Sequence, residues 1–226
     1  AHSHTHEGKT LLEVERDVLH HNELHAAQNR GYFDAKGIMA LNLVSSPGSG
    51  KTAVLERTLE HLKDAIPIYV IEGDQQTLND ANRIAQTGTP VIQINTGKGC
   101  HLESDMIYKA VQELKMDNDS VLMIENVGNL VCPSMFNLGE HHRVVIISIT
   151  EGEDKPLKYP DMFHSSDVCL INKIDLLPYL ECDMDELRGN ILKINPDMTI
   201  LELSATKGTG MDAWYSWLQE NHKKSS

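Results

Sequence analysis

Short, wholly apolar runs alternate along this chain with longer stretches in which apolar residues return every three or four positions. Runs at 38–44, 67–71, 91–94, 120–124, 144–149, 168–171 and 199–203 read as strands. They are apolar at successive positions, as strands covered on both faces are. Amphipathic segments at 53–63, 78–86, 102–114, 184–194 and 211–220 read as helices. An earlier helix is predicted over 11–30, from Leu11, Val14, Val18 and Leu24, with Gly31 as its stop. Strands alternating with helices predict an α/β fold: a mostly parallel sheet of about seven strands, helices on both faces, preceded by an N-terminal helix. The expected organisation is a His-containing flexible tail at 1–10, the N-terminal helix within 11–36, and one domain over 37–226.

The first strand runs into a Gly-rich turn and then a helix: "LNLVSSPGSGKTAVLERTLEHL", from Leu41 to Leu62. That is the context of a phosphate loop. Backbone N–H groups of Gly48, Ser49, Gly50 and Lys51 can converge on an anion at a helix N-terminus, where the macrodipole adds favourable charge. Lys51 offers a point charge to the β and γ phosphates, the Thr52 hydroxyl can ligate Mg²⁺, and Ala53 completes the nucleotide-contacting run. The usual first glycine of this motif is Ser45.

"INKIDLL", from Ile171 to Leu177, follows the sixth strand. The Asp175 carboxylate can accept two hydrogen bonds from guanine, a donor pair that adenine lacks. Lys173 can lie over the base, and Asn172 can tie this loop to the phosphate loop. Ser204 and Ala205, in "LSATKGTGM", resemble the loop that backs guanine in GTPases, so GTP is the expected nucleotide. "VLMIENVGNL" sets Glu125 and Gly128 as E-x-x-G: Glu125 for Mg²⁺, the Gly128 N–H for sensing the γ-phosphate. "VIEGDQQT" ends the second strand with Asp74, placed to position Mg²⁺ or the attacking water, while Glu72 reads as a helix cap. The catalytic set is therefore Lys51, Asp74, Glu125 and Gly128, and the magnesium set Thr52, Asp74 and Glu125. No Gln or His reads as a water-orienting residue and no Arg as a built-in finger, so slow intrinsic hydrolysis is expected.

Composition narrows the class. Forty per cent apolar and 23 % charged residues are ordinary for a soluble globular protein. No run approaches the ~20 apolar residues of a membrane span, and the start lacks the pattern of an export signal. A formal charge of −13 argues against a broad nucleic-acid footprint. Four cysteines without an export signal point to a reducing cytoplasm, where free thiols or metal ligands are the rule. Cys169 and Cys182 read as ordinary free cysteines. Cys100 and His101, in "NTGKGCHLESDMI", follow a strand at the start of a helix, whose N-terminus favours a thiolate. Cys132 lies seven residues past Glu125. Strand-to-helix loops of a parallel sheet emerge on one edge, so the two segments are expected near the nucleotide. Two thiolates and an imidazole suit tetrahedral Zn²⁺ or planar Ni²⁺, and both remain open on the residues alone. His21 and His25, spaced i, i+4, read as a solvated pair, with chelation the minority reading.

Taken in order, SPGSGKT, EGDQQT, NTGKGCHL, ENVGNLVCP, TEGEDKPLKYP and NKIDLLPYL resemble the HypB family, GTPases that help insert nickel into [NiFe]-hydrogenase. The likeness runs from about Gly37 to the C-terminus. It implies a SIMIBI-class P-loop GTPase domain, with Cys100, His101 and Cys132 as its nickel or zinc site. It further implies a GTP-dependent homodimer, with Leu176 and Leu180 as candidate contacts, and partners that include the hydrogenase large subunit and other nickel-delivery proteins, with no nucleic acid and no membrane. Lys155 and Lys158 are divided between nucleotide approach and plain solvation. Some HypB proteins carry a cysteine-rich nickel motif near the start; here the tail holds His2, His4 and His6, readable as a low-affinity store. Rival readings are a urease-type nickel chaperone GTPase, whose Cys-Pro-His is here Cys132-Pro133-Ser134, an ATP-dependent small-molecule enzyme on the same fold, and a passive metal buffer.

Overall fold

Seven strands pair in parallel in the computed structural model, which describes residues 10–75 and 79–226. They are β1 (Met39–Ser45), β2 (Ile68–Asp74), β3 (Val91–Asn95), β4 (Val121–Gly128), β5 (His142–Ser148), β6 (Val168–Asn172) and β7 (Thr199–Glu202), in spatial order β3-β2-β4-β1-β5-β6-β7. From β1 the chain first builds towards β3 and later towards β7. Such a reversal opens a crevice at the carboxyl ends of the central strands.

Strand alternation divides the core between the two faces. Met39, Leu41 and Leu43 of β1, with Val121 and Met123 of β4, pack beneath α2 (Lys51–Leu62) and α8 (Met211–Ser225). Ala40 of β1 and Leu122 and Ile124 of β4 point the other way, into a cluster closed by Phe33 of α1 (Leu11–Lys36) and by α4 (Ser104–Leu114). Val44 and the inner residues of β5 and β6 join α6 (Pro160–His164) and α7 (Met184–Ile194) in a third cluster on that same side. Asn42, fully buried between the last two clusters, breaks the apolar surface at the point where a polar network begins.

All seven expected strands are present, within three residues at most ends; β4 runs four residues longer than expected, to Gly128. The first helix departs from expectation: it passes through Gly31, whose missing side chain faces open space, and continues to Lys36. It must, because Phe33 is wholly buried one turn short of its end. Gly37 stops it, at φ 66°, by donating its N–H to the Phe33 and Asp34 carbonyls, while Thr10 and Glu13 form a capping box at its start. Helix α3 is observed as Asn79–Gln86, the expected start at Leu78 lying outside the described residues. The expected tail falls, except for Thr10, on residues 1–9, also outside them. A 3₁₀ turn at Cys132–Met135 and the short helices α5 (Lys155–Lys158) and α6 were not anticipated, since four or five residues give no periodicity to detect. Among the described residues no helix is long and apolar enough to cross a membrane.

Candidate nucleotide and metal sites

The loop between β1 and α2 lies at the reversal point and lines a crevice of about 320 Å³ with the ends of β2 and β4. Gly50, at φ 86°, caps α2, and an added Cβ would collide with the Asn172 amide. That amide donates to the Ser49 carbonyl at 2.9 Å, and the Asn172 Oδ1 accepts from the Ala205 N–H at 3.1 Å. Lys173 donates to the Gly48 carbonyl at 2.7 Å. The buried Ser204 hydroxyl donates to Asp175 at 2.8 Å, orienting its carboxylate. The Asn-Lys-x-Asp run and the Ser-Ala loop thus meet at the phosphate loop. Gly128 pairs in register with Ser45, its Cα side 3.7 Å from Pro47 if a Cβ is added, at the mouth of the same crevice.

The crevice floor is acidic. Thr52 donates to Glu125 at 2.7 Å, and carboxylate oxygens of Glu72, Asp80 and Glu125 lie within 4.8 Å of one another. Burial pushes the Glu72 carboxyl up to about 8, with Glu125 beside it adding to the shift; burial likewise raises Glu125, against the pull of Lys51. Burial lowers the Lys51 ammonium, whose proton-bearing nitrogen donates to the Asn126 carbonyl. The Oε2 atoms of Glu72 and Glu125 are buried without a hydrogen-bond partner, which suits a hydrated divalent cation. Glu72 caps no helix. Strand β2 continues past Ile71 to Asp74, and Glu72 lies in register with Glu125 inside the sheet. Asp74 lines the crevice at the end of β2 and is not one of the three clustered carboxylates. Asp80, which was missed, arrives from the first turn of α3, as an acidic residue after a strand-end "EGD" could have suggested. Arg83 also borders the crevice, but Glu56 holds its guanidinium at 2.6 and 2.9 Å.

Cys100, His101 and Cys132 converge. Both sulfurs and a ring nitrogen of His101 lie within 4.8 Å of one another, with Cys100 Sγ 3.5 Å from His101 Nδ1. His101 Nε2 is 3.1 Å from Glu103, and its ring stacks on buried Phe136 at 3.9 Å and 16°. Soft thiolates with one oriented imidazole form a donor set fit for Zn²⁺ or Ni²⁺. The expected thiolate-favouring helix end is not beside Cys100. Helix α4 begins at Ser104, and the neighbouring Cys132 sulfur raises the Cys100 thiol instead. Cys169 is wholly buried, its thiol pushed far up by desolvation, and Cys182 contacts Met184. His21 and His25 touch edge to face at 4.6 Å on α1, and neither belongs to a three-ligand group among the described residues.

The two lysines separate. Lys155 pairs at 3.3 Å with Glu151, which also accepts from the phosphate-loop Ser46 hydroxyl, whereas Lys158 is exposed and pairs with Asp154 at 3.1 Å. Leu176 is half-buried against the third cluster, and Leu180 is exposed beside Tyr179, which is 82 % exposed.

Comparison with known proteins gives a consistent picture. The family described as "CobW/HypB/UreG, nucleotide-binding domain" matches residues 39–202. The hydrogenase maturation factor HypB of Escherichia coli K12 is 56 % identical over 211 residues, 93 % of this chain and 73 % of that protein. The crystal structure of HypB from Archaeoglobus fulgidus superposes with a TM-score of 0.83 at 36 % identity, covering 89 % of this chain and 98 % of that one. That of HypB from Helicobacter pylori in complex with nickel gives 0.83 at 37 %, covering 90 % and 95 %.

Proposed function

This chain belongs to the HypB hydrogenase maturation factors of the CobW/HypB/UreG family, and from that premise we propose that it is a GTP-hydrolysing metallochaperone that loads nickel or zinc on Cys100, His101 and Cys132. One observation carries the reading. A single segment leaves the nucleotide crevice at Glu125 and Gly128 and delivers Cys132 to Cys100 and His101.

In this reading Gly48, Ser49, Gly50, Lys51, Thr52 and Ala53 hold the phosphates of GTP, and Asp175, Lys173, Asn172, Ser204 and Ala205 hold guanine. Thr52, Asp74 and Glu125 would hold Mg²⁺, with Glu72 and Asp80 completing its acidic surroundings, and the ion would supply charge neutralisation for the phosphates. Lys51, whose ammonium rests on the Asn126 carbonyl, is the group that turns to the phosphates. In turning it releases the backbone that leads to Cys132. The Gly128 N–H meets the γ-phosphate, so its loss on hydrolysis relaxes the same segment and loosens one sulfur from the metal. With Arg83 occupied by Glu56 and no side chain among the described residues identified to orient water, hydrolysis is slow until a second copy or partner assists. The protein acts in the cytoplasm as a GTP-dependent homodimer through Leu180 and its neighbours, passing metal to other nickel-delivery proteins and the hydrogenase large subunit. Residues 37–226 carry both sites.

Titrating Ni²⁺ and Zn²⁺ into the protein and its Cys132→Ala variant, each with GDP and with a non-hydrolysable GTP analogue, tests this. The wild-type affinities should differ between nucleotides by roughly 5–150-fold, the span of an ordinary coupling energy, and the variant should lose both tight binding and the difference. Equal affinities in the two nucleotide states with Cys132 intact refute the coupling.

A further inference from the structure

Helix α1 lies behind both metal-bearing segments: Phe33 packs with Leu102 and Leu138, and two buried amides add polar contacts. Asn22 and Asn29, seven positions apart on one helix face, are 3 % and 2 % exposed. Asn22 donates through Nδ2 to the Asn137 carbonyl at 2.7 Å and accepts through Oδ1 from the Ser104 N–H at 2.8 Å. Its own carbonyl accepts from the Ser104 hydroxyl at 2.5 Å. Asn29 donates to the carbonyls of Ser104 at 2.8 Å and Leu138 at 3.1 Å. Ser104 lies three residues past His101. Asn137 follows Phe136, whose ring stacks on the His101 imidazole in the segment that carries Cys132. Each amide therefore has one partner on the segment of Cys100 and His101 and one on the segment of Cys132. Apolar residues would pack a helix equally well, but they would not fix the spacing of two irregular backbones; a buried amide hydrogen-bonded to both does.

We propose that Asn22 and Asn29 are positioning residues of the metal site, a two-point clamp that locks the Ser104 backbone to that of Asn137 and Leu138 at the separation where the two sulfurs and the imidazole meet. This rests on the reading of Cys100, His101 and Cys132 as the metal ligands. A metal ion draws on pre-placed donors, so removing an outer-shell support lowers its affinity, commonly by about 10–100-fold. The clamp acts on one face of the sheet only. At the end of β4, Glu125 points to the nucleotide crevice while the neighbouring Asn126 accepts from the Leu102 N–H on the metal side. Loss of the clamp therefore weakens metal binding and leaves the nucleotide site in place.

Two variants test this. Asn29→Ala removes both lower donors. Asn22→Asp is nearly isosteric: it keeps the acceptor for Ser104, sets a carboxylate oxygen against the Asn137 carbonyl, and so opens one half of the clamp with little loss of packing. Zn²⁺ and Ni²⁺ affinities are measured by chelator competition on the reduced protein, and GDP affinity alongside. A second readout needs no metal. In a Cys182→Ser background, diamide oxidises Cys100 and Cys132 to a disulfide; the two thiols give up two protons and two electrons, and diamide is reduced to its hydrazine. In both variants metal binding should weaken by about tenfold or more, disulfide formation should slow, and GDP affinity should stay near the wild-type value. Wild-type metal affinity in both variants overturns the clamp, as does a loss of GDP binding in step with metal, which marks general destabilisation. If the wild-type protein holds no metal at these residues, the metal reading fails by itself. The disulfide rates then still decide the clamp, slowed rates upholding it and unchanged rates overturning it.

Discussion

At the scale of single residues, position relative to the strands decides what each carboxylate can do. Glu72 and Asp175 illustrate it from opposite ends: one is crowded and uncharged-prone in the crevice floor, the other is held ready by the Ser204 hydroxyl at 2.8 Å. Replacing Asp175 by Asn removes an acceptor for two guanine donors and leaves one of them unpaired. GTP and GDP affinity should fall by about 5–150-fold, from about 1–3 kcal/mol for an unsatisfied buried group, as read by titration with a fluorescent guanine nucleotide. His141 carries a pH signal away from both sites. Its Nδ1 accepts from the Ala40 N–H at 3.0 Å and its Nε2 lies 2.8 Å from Asp34. Burial lowers its pKa, outweighing the Asp34 hydrogen bond. The folded protein thus binds this proton less readily than the unfolded chain. The stability that results is fully present above the unfolded value of about 6.5 and is lost as pH falls through the lower folded one. Glu72, with its raised pKa, works in the opposite direction, so the His141 contribution is read as a difference: in urea unfolding of the nucleotide-free protein, the stability of the wild type relative to His141→Gln should decline on acidification below about pH 6.5.

Among the elements, α1 is the one whose two halves have different tasks. Residues from Leu11 to His21 are exposed throughout, whereas Asn22, Ala26, Asn29 and Phe33 are buried against α4 and the segment after Cys132. Phe33 supplies the apolar anchor and the two amides the spacing. Phe33→Ala should cost about 3–5 kcal/mol by the usual penalty for emptying a core aromatic site, measured as a lowered urea midpoint with an unchanged slope. Strand β4 works by alternation. Val121, Met123 and Glu125 face α2 and the nucleotide, and Leu122, Ile124 and Asn126 face α1, α4 and the metal loop. One strand end therefore leads to both candidate sites on opposite faces of the sheet, and the proposed link between phosphate chemistry and metal binding rests on that geometry.

For the whole molecule, the reversal of strand order at β1 gathers everything of chemical interest at one edge of the sheet. The phosphate loop, the ends of β2 and β4, the Asn-Lys-x-Asp run and the Ser-Ala loop come from five separate stretches, brought together around one crevice and by the bonds of Asn172 and Lys173. Ligand binding should then stabilise the fold as a unit. GDP at about 100 times its Kd should add about 2.7 kcal/mol to the unfolding free energy, and Asp175→Asn should reduce that gain at the same ligand concentration. A gain unaffected by the substitution would place the nucleotide elsewhere.

The chain by itself determined the seven strands and the main helices, and it singled out Cys100, His101 and Cys132, which the fold brings together. Interior parallel strands are apolar on both faces and leave unbroken runs, and phosphate and guanine recognition require particular side chains at short, fixed spacings. It could not decide where β2 ends. Pairing with β3 and β4 on either side carries Glu72 into the sheet, whereas the local pattern stops at Ile71. Asp80 reaches the acidic floor only because α3 packs beside α2, and Cys132 reaches Cys100 only across the sheet edge. Least legible were Asn22 and Asn29, since a polar residue in a helical pattern reads as exposed. Only tertiary contact turns two amides into the buried spacer between two segments, one 75 to 82 and the other 109 to 115 residues further along the chain.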